Sequence, residues 1–270
     1  MQNLSRIYLN ENLETGKSYP LPLDTAHYLT KVMRADKCIV FNKGKEFLAE
    51  IRQEQIKKTI NYSLFIIHST NRPDPSNDLT LAFAPIKQPR LEELISMATQ
   101  MGVAKLQPVI TARTTAHHIN WERIRKIATE SSEQSGRNSV PEIMAPVKFD
   151  DFVKNNKNIV FADERFAHEE NLSSRRALQS SAGAGSLGFE PQTETMKHSD
   201  QSYINKIPYP GAMRPLRDDG FILIGPEGGF SESEFAALDG ADATGINLGK
   251  TILRAETAAV VAISKLAISS

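Results

Sequence analysis

The chain has 270 residues, of which 40% are hydrophobic, and its 32 Lys and Arg balance its 32 Asp and Glu, so the formal net charge is zero. This neutrality argues against nucleic-acid binding by overall charge alone. No apolar run approaches the ~20 residues of a membrane-spanning helix, and the single Cys38 allows neither an internal disulfide nor a cysteine-based zinc site. We therefore expect a soluble, cytoplasmic protein without a membrane or a metal as partner.

The first 70 residues alternate short apolar runs with turn signals, a pattern typical of a small β-barrel. Residues 37–41, 47–51 and 62–67 have the composition of strands, and Asn42-Lys43-Gly44-Lys45 has that of a turn. A short helix is expected near His27 to Arg34. Residues 71–78 are rich in proline and turn formers, and we therefore predict one domain over 1–72 and a second over 73–270.

From Leu79 the pattern changes to alternating strands and helices, which predicts a parallel sheet with crossover helices. The predicted strands include 79–83, 106–110 and 159–161, and helical spacing of apolar residues begins at Leu91 and again after Asn120. Residues 171–219 interrupt this pattern with serines, glycines, prolines and few aliphatic residues. They predict an irregular insertion at the surface between two strands.

Two Gly-rich segments near the C-terminus each follow a predicted strand and precede a predicted helix. Residues 225–230 follow the strand 221–224, and Ser231 and Glu234 then form a Ser-x-x-Glu capping box. Residues 248–257 follow the strand 244–248 and precede a helix over 258–268. The carboxyl ends of parallel strands meet at one edge of an open sheet, where ligands bind. Glycines there give a ligand access to main-chain groups, so the two segments predict one pocket.

Three other patterns indicate ligand sites only weakly. Gly183 to Gly188 fits Gly-x-Gly-x-x-Gly but lacks the flanking strand and helix that a dinucleotide site requires. Gly245 to Thr251 is similar to a phosphate-binding loop but has three residues between its glycines where four are needed, which disfavours an α/β nucleotide-binding enzyme. Adjacent His117 and His118 point in different directions, and the acidic cluster at 163–169 is ordinary after a strand, so neither predicts a metal site.

Taken together, the two Gly-rich segments resemble the SPOUT-class RNA methyltransferases, and within them the family that methylates N3 of a uridine in 16S ribosomal RNA. The carrying residues are Gly-Pro-Glu-Gly-Gly-Phe-Ser-x-x-Glu at 225–234 and Leu-Gly-x-x-Ile-Leu-Arg-x-Glu-Thr-Ala at 248–258. Further similarity lies in Lys87 with Glu92, Glu93 and Met101-Gly102-Val103, in Glu-Gln-Ser-x-Arg-x-x-x-Pro at 133–141, and in Arg6 with 27–34. The resemblance extends over the whole chain except 171–219. Met101 replaces the family's usual Leu, and Lys250-Thr251 replaces a bulkier or basic pair.

The resemblance implies an α/β fold in which a C-terminal open parallel sheet with a deep trefoil knot follows a small N-terminal PUA-like β-barrel. It implies S-adenosylmethionine as the cofactor, bent in the knot against residues of both loops, namely Leu223, Gly225, Glu227, Gly228, Gly229, Leu248, Gly249, Ile252, Leu253 and Ala258. It also implies a homodimer, and 16S ribosomal RNA or the assembled small ribosomal subunit as the substrate.

Methylation at uridine N3 requires an exposed base and the loss of the N3 proton. Arg254 is the candidate for stabilising negative charge on the uracil oxygens, because a guanidinium is always charged and presents a rigid fork. Glu256 or Glu227 could accept the proton, or could hold Arg254 or cap the helix. Contacts to RNA are expected from basic residues on the barrel and near the cleft, which position phosphates: Arg6, His27, Lys31, Arg34, Lys87, Arg113 and Arg137.

The alternative from another class is a non-catalytic RNA-binding module, in which the barrel is fused to a degenerate α/β domain. That alternative predicts a damaged cofactor pocket. The glycines of both loops and Arg254 are nevertheless present.

Overall fold

The computed structural model describes residues 4–56, 59–115, 118–166 and 220–267, which form two β-sheets with flanking helices. The predicted insertion at 171–219 and His117 lie outside the described residues. Among those that are described, no helix combines the length and the apolar composition needed to cross a membrane.

The N-terminal sheet has five strands in the order β1-β3-β4-β5-β2. The strands are β1 (Arg6–Tyr8), β2 (Ser18–Pro20), β3 (Lys37–Asn42), β4 (Lys45–Ile56) and β5 (Thr59–Ser69). The β1 and β3 strands are parallel and the other pairs are antiparallel. Lys43 and Gly44 have φ of 48° and 76°, as a tight hairpin turn requires, so the turn predicted between β3 and β4 is confirmed. The strands β1 and β2 were not predicted from the sequence, because they are too short to show an alternation of apolar and polar residues.

One helical segment packs against this sheet, where the sequence predicts a short helix. It consists of α1 (Leu23–His27) followed by a π-helical turn over Tyr28–Val32. Ala26 and Leu29 face inward and join Cys38, Val40 and Ile66 in a buried apolar cluster. The opposite side of the segment is therefore left exposed to solvent.

The second sheet has seven strands, and all its pairings are parallel. They are β6 (Thr80–Phe83), β7 (Lys105–Ile110), β8 (Glu142–Ile143), β9 (Val147–Lys148), β10 (Ile159–Ala162), β11 (Phe221–Ile224) and β12 (Thr244–Ile246). Their order is β12-β10-β11-β6-β7-β8, and β9 also pairs with β7. Every residue of β6 is buried, because helices cover both faces of a parallel sheet. The parallel α/β sheet expected from the sequence is thus confirmed.

The helices of this part are α2 (Arg90–Gln100), α3 (Trp121–Ser135), α4 (Phe149–Asn155), α5 (Glu232–Gly240) and α6 (Ala255–Ala267). The predicted capping box is present at α5, where the Ser231 hydroxyl accepts from the Glu234 amide and the Glu234 carboxylate accepts from the Ser231 amide. By contrast, α6 begins three residues before the predicted start, so that Glu256 lies in its first turn.

The strand order places β11 between β10 and β6, at the centre of the carboxyl edge. The loop that follows β11 therefore has the loops after β10 and β12 on one side and the loops after β6 and β7 on the other. The Ala84 amide, just beyond β6, donates to the carbonyl of Ile224 at the end of β11, at 2.9 Å. The carboxyl edge of the sheet therefore has two adjacent regions, one on each side of the loop that follows β11.

Arg6 ties the two sheets together. Its guanidinium pairs with Glu46 and donates to the Arg137 carbonyl and to Asn138 Oδ1, both at 2.8 Å. Burial raises the pKa of Glu46, but hydrogen bonds from Arg6 and Thr70 outweigh it, so the pKa lies below its ordinary value. The segment at 133–141 is therefore a junction between the sheets.

Candidate functional site

A cavity of about 300 Å³ opens at the carboxyl edge over β10, β11 and β12. The two Gly-rich loops form most of its wall, as the sequence predicts. The predicted residues that line it are Gly225, Glu227, Gly229, Leu248, Gly249, Ile252, Leu253, Arg254 and Ala258. Residues of both loops thus line one cavity, which we call the donor cavity.

Two residues predicted to bind the cofactor do not line the donor cavity. Leu223 is fully buried and packs with Val109 and Phe230 in the core on one face of the sheet. Alternate residues of a strand point to opposite faces, and its neighbour Ile224 belongs to the cluster on the other face and reaches the cavity. Gly228 lines a second cavity, described below.

The loop after β10 contributes polar residues that we expected to be ordinary solvated side chains. Asp163 and Glu164 both line the donor cavity. Arg165 donates to both carboxylate oxygens of Asp163, at 2.6–3.0 Å, and also to Asp239 of α5. These hydrogen bonds raise the pKa of Arg165. Asp163 is consequently a structural anion that fixes the loop, and its position directly after a predicted strand was the signal available in the sequence.

Two glycines have backbone conformations that other residues rarely adopt. Gly229 has φ of +68°, and a Cβ there would overlap the carboxylate of Glu164. Gly249 has φ of +142°, and its amide donates to Oδ1 of Asn247 at 2.8 Å. Both positions therefore require glycine to give the cavity wall its shape.

A larger groove of about 860 Å³ lies on the other side of the loop that follows β11. The segment after β6 contributes Lys87 and Arg90, and the segment after β7 contributes Arg113. Arg113 donates to the carbonyl of Gly228 at 2.7 Å. Two of the cations predicted to contact RNA, Lys87 and Arg113, are thus brought together in this groove, which we call the basic groove.

Arg90 and Glu227 line both the donor cavity and the basic groove. Arg90 Nη1 lies 3.8 Å from Glu227 Oε1, and the two side chains are 41% and 33% exposed. Arg90 is not among the site residues predicted from the sequence, although it directly precedes Leu91, where the predicted helix begins. The boundary between the two spaces is therefore an ion pair.

The two predicted catalytic residues occupy different environments. Arg254 is exposed and lines the donor cavity. Glu256 is 5% exposed and lines neither the donor cavity nor the basic groove. Its Oε2 is buried without a hydrogen-bond partner in the described part of the chain. Glu256 thus lies in the first turn of α6 with its side chain in the protein interior.

The predicted RNA contacts separate into buried and exposed residues. Arg137 is 1% exposed, and its guanidinium donates to the carbonyls of Thr99 and Val103 at 2.8 and 2.9 Å. Burial lowers the pKa of Arg137. Together with Arg6 at the junction, Arg137 therefore has a structural role instead of the surface contact that we expected.

His27, Lys31 and Arg34 lie on the exposed side of the segment around α1. Tyr28 and Val32, on the same segment, are also exposed. These three basic residues remain predicted RNA contacts. In the sequence they lie far from Lys87, Arg90 and Arg113 of the basic groove.

The donor cavity fits S-adenosylmethionine better than a nucleoside triphosphate. Ile224, Leu248 and Leu253 provide apolar wall, and Gly249 leaves main chain accessible. A neutral adenine needs shape and main-chain contacts, whereas a triphosphate needs the longer phosphate-binding loop that the sequence lacks. Glu164 adds a carboxylate whose sign suits a cationic ligand.

Comparison with known proteins gives consistent matches over nearly the entire chain. The model of a family described as RNA methyltransferase domain matches residues 72–187 and 193–267. The ribosomal RNA small subunit methyltransferase E of Rickettsia conorii is 34% identical over 268 residues, covering 97% of this chain and 94% of that protein. The Bacillus subtilis protein of the same name is 26% identical, with 94% and 91% covered.

Solved structures agree with these sequence matches. A ribosomal RNA small subunit methyltransferase E from Neisseria gonorrhoeae bound to S-adenosyl methionine has a TM-score of 0.71 at 24% identity, with 99% of this chain and 98% of that chain covered. A Legionella pneumophila methyltransferase in complex with SAM has a TM-score of 0.69 at 26% identity, with 99% and 98% covered. The chain therefore belongs to the RNA methyltransferase family that includes ribosomal RNA small subunit methyltransferase E.

Proposed function

We propose that this protein transfers the methyl group of S-adenosylmethionine to N3 of a uridine in 16S ribosomal RNA of the small subunit. The observation that carries the proposal is the donor cavity, which both Gly-rich loops enclose and which adjoins a groove lined by Lys87, Arg90 and Arg113. The names of the relatives agree with this activity. The non-catalytic alternative predicts a damaged pocket and is not supported, because the loops form an open cavity.

The residues of the donor cavity have distinct roles in this reaction. Gly225, Gly229 and Gly249 line the cavity and would leave main-chain groups open to the adenine and ribose. The apolar wall excludes water, which strengthens electrostatic interactions at the reacting atoms. When bound, the cofactor supplies a methyl group activated by a sulfonium. Arg254, exposed at the cavity wall, stabilises the negative charge that develops on the uracil oxygens.

Glu227 is the carboxylate best placed to accept the N3 proton. It lines both the donor cavity and the basic groove, whereas Glu256 lines neither. A general base must come within hydrogen-bond reach of the proton it removes. We therefore assign the role of proton acceptor to Glu227.

The finer features of the fold belong to the same proposal. A PUA-like unit over 1–72 would present RNA-binding residues, and a knotted methyltransferase unit over 73–270, with an insertion at 171–219, would hold the cofactor. The mixed five-stranded sheet and the two loops around one cavity support this division. We also propose that the protein works as a homodimer in the cytoplasm, with 16S ribosomal RNA or the assembled small subunit as its partner.

Two measurements test the proposed activity. Calorimetric titration with S-adenosylmethionine, S-adenosylhomocysteine and ATP in parallel should give heat with the first two, and heat with ATP alone would contradict the assignment. Mapping of N3-methyluridine in 16S ribosomal RNA should show its loss in cells that lack the gene and its return with the wild-type chain. Arg254→Ala should bind the cofactor normally and fail to restore the methylation.

A further inference from the structure

We propose that the basic groove receives the acceptor nucleotide and that Arg90, at the boundary with the donor cavity, is a catalytic residue that contacts the uracil ring. This inference rests on the proposed function and adds to it a site and a residue. Among the described residues that line the two spaces, Arg90 is the cation common to both. Lys87 and Arg113 line only the groove, and Arg254 lines only the donor cavity.

Methyl transfer requires the acceptor atom and the methyl carbon to meet, so the acceptor base must reach the boundary between the two spaces. The structure defines that boundary by the loop after β11, with Glu227 on it and Arg90 facing it. A groove of about 860 Å³ is within the ~300–1,000 Å³ range of small-molecule sites, which includes sites of nucleotide size. A uracil in the groove with its N3 edge toward the boundary would therefore lie beside Arg90.

The remaining charges of the groove suit the phosphates of the same nucleotide and its neighbour. Lys87 and Arg113 come from the segments after β6 and β7, and they line the groove but not the donor cavity. Such side chains position a nucleic acid without reading its sequence. The ligand class is consequently an unpaired uridine nucleotide of RNA, with its base at Arg90 and its phosphates at Lys87 and Arg113.

The ion pair between Arg90 and Glu227 holds Arg90 near the acceptor base and releases it when Glu227 takes up the N3 proton. At 3.8 Å, with both side chains partly exposed, the pair is weak and can exchange partners at little cost. During the reaction the N3–H bond breaks, its electron pair stays on the ring, and the proton passes to the Glu227 carboxylate. The negative charge thereby moves from Glu227 to the uracil oxygens. The guanidinium of Arg90 then contacts those oxygens instead of Glu227.

The transfer is then completed with the base held as an anion. N3 forms a bond to the methyl carbon while the bond from that carbon to sulfur breaks, and the electron pair of the broken bond stays on sulfur. The uracil becomes neutral again, and Glu227, once deprotonated by solvent, pairs with Arg90 as before. Arg90 thus acts most strongly while the charge is on the ring, as transition-state stabilisation requires.

The experiment compares Arg90→Ala, Arg90→Gln and Arg90→Lys with a matched control, Arg125→Ala, in an exposed arginine of α3 that lines neither space. Single-turnover methyl transfer is measured with small ribosomal subunits from cells that lack the gene, and cofactor affinity is measured by calorimetry. We expect Arg90→Ala to slow transfer roughly 10²–10³-fold, as loss of an oxyanion donor does. Cofactor affinity should change less than about threefold, and Arg90→Lys should lose less activity than Arg90→Gln.

A pH profile separates a catalytic from a merely structural role. If Arg90 stabilises the uracil anion, raising the pH promotes N3 ionisation and should increase the rate of Arg90→Ala more steeply than that of the wild type. Lys87→Ala and Arg113→Ala should raise KM with little change in kcat, because phosphate contacts contribute to binding in both ground and transition states.

Several outcomes would overturn the inference. Transfer by Arg90→Ala within about threefold of the wild type removes Arg90 from the mechanism, and so does a loss that cofactor affinity explains entirely. Unchanged KM in both groove variants removes the basic groove as the acceptor site. If Arg90→Ala does not fold, Arg90→Gln and Arg90→Lys give the same comparison. Absence of N3 methylation by the wild-type enzyme would instead overturn the proposed function.

Discussion

Replacement of the buried Arg137 by alanine tests whether this residue holds the fold or contacts RNA. The guanidinium donates two short charge-assisted hydrogen bonds, to the carbonyls of Thr99 and Val103, and a longer one of 3.4 Å to Oγ of Ser139. Hydrogen bonds to charged groups contribute ~1.5–3 kcal/mol each, so Arg137→Ala should lower the free energy of unfolding by about 3–6 kcal/mol. The Thr99 carbonyl retains a second donor, the Gly102 amide at 3.0 Å, which favours the lower half of that range.

Urea denaturation followed by the fluorescence of Trp121, the single tryptophan, provides the assay. Trp121 begins α3, the helix that leads into Arg137. Arg125→Ala, in an exposed arginine of the same helix, is the control and should change stability by less than ~0.5 kcal/mol. If Arg137→Ala instead unfolds within ~1 kcal/mol of the wild type while RNA affinity falls tenfold or more, the structural role is refuted and the RNA contact restored.

Four further predictions follow from the same contacts. Gly229→Ala should weaken S-adenosylmethionine binding at least tenfold, because it adds ~1–2 kcal/mol of backbone strain and displaces Glu164. Gly240→Ala is the control, because a Cβ there meets nothing within 4 Å, and it should leave the affinity unchanged. Calorimetry measures the affinity of both variants. Glu256→Gln should keep the methylation rate within about threefold of the wild type, and a tenfold loss of kcat at unchanged stability would show that Glu256 is catalytic. Burial raises the pKa of the Cys38 thiol to about 12, so a thiol reagent at mildly alkaline pH should label it only after unfolding. The lowered pKa of Glu46 implies a contribution to stability that is complete above the ordinary pKa of ~4.3 and is lost as the pH falls through the lowered value; urea midpoints of Glu46→Gln should show a shallower acid dependence than those of the wild type.

Features encoded by neighbouring residues could be predicted from the sequence. The capping box depends on Ser231 and Glu234, three positions apart, and the structure contains both of its hydrogen bonds. The alternation of strands and helices after Leu79 predicts a parallel sheet, because parallel strands need crossover connections. The two Gly-rich loops follow two such strands, so the sequence predicts that they meet at the carboxyl edge. It does not predict which other loops lie beside them.

Features that depend on strand order could not be predicted in this way. Arg90 and Glu227 are far apart in the sequence, and they meet only because β6 pairs with β11. The donor cavity and the basic groove lie side by side for the same reason. The residues next to Arg90 or Glu227 in the sequence do not indicate that the two side chains are close together.

Burial likewise changed the roles of residues selected by type. Arg137 and Glu256 are charged, and a charged residue is rarely buried without a partner, so the sequence favoured surface or catalytic roles for both. Packing of the α2 end around Arg137 and the early start of α6 at Ala255 place both side chains inside.

The sequence by itself determined the α/β class, the two Gly-rich loops and the family resemblance, because these reside in short-range patterns of residues. Only the tertiary structure decided which charged residues face the donor cavity and the basic groove and which are buried. The physical reason is that exposure and proximity are properties of packed strands and helices, and segments distant along the chain determine them jointly.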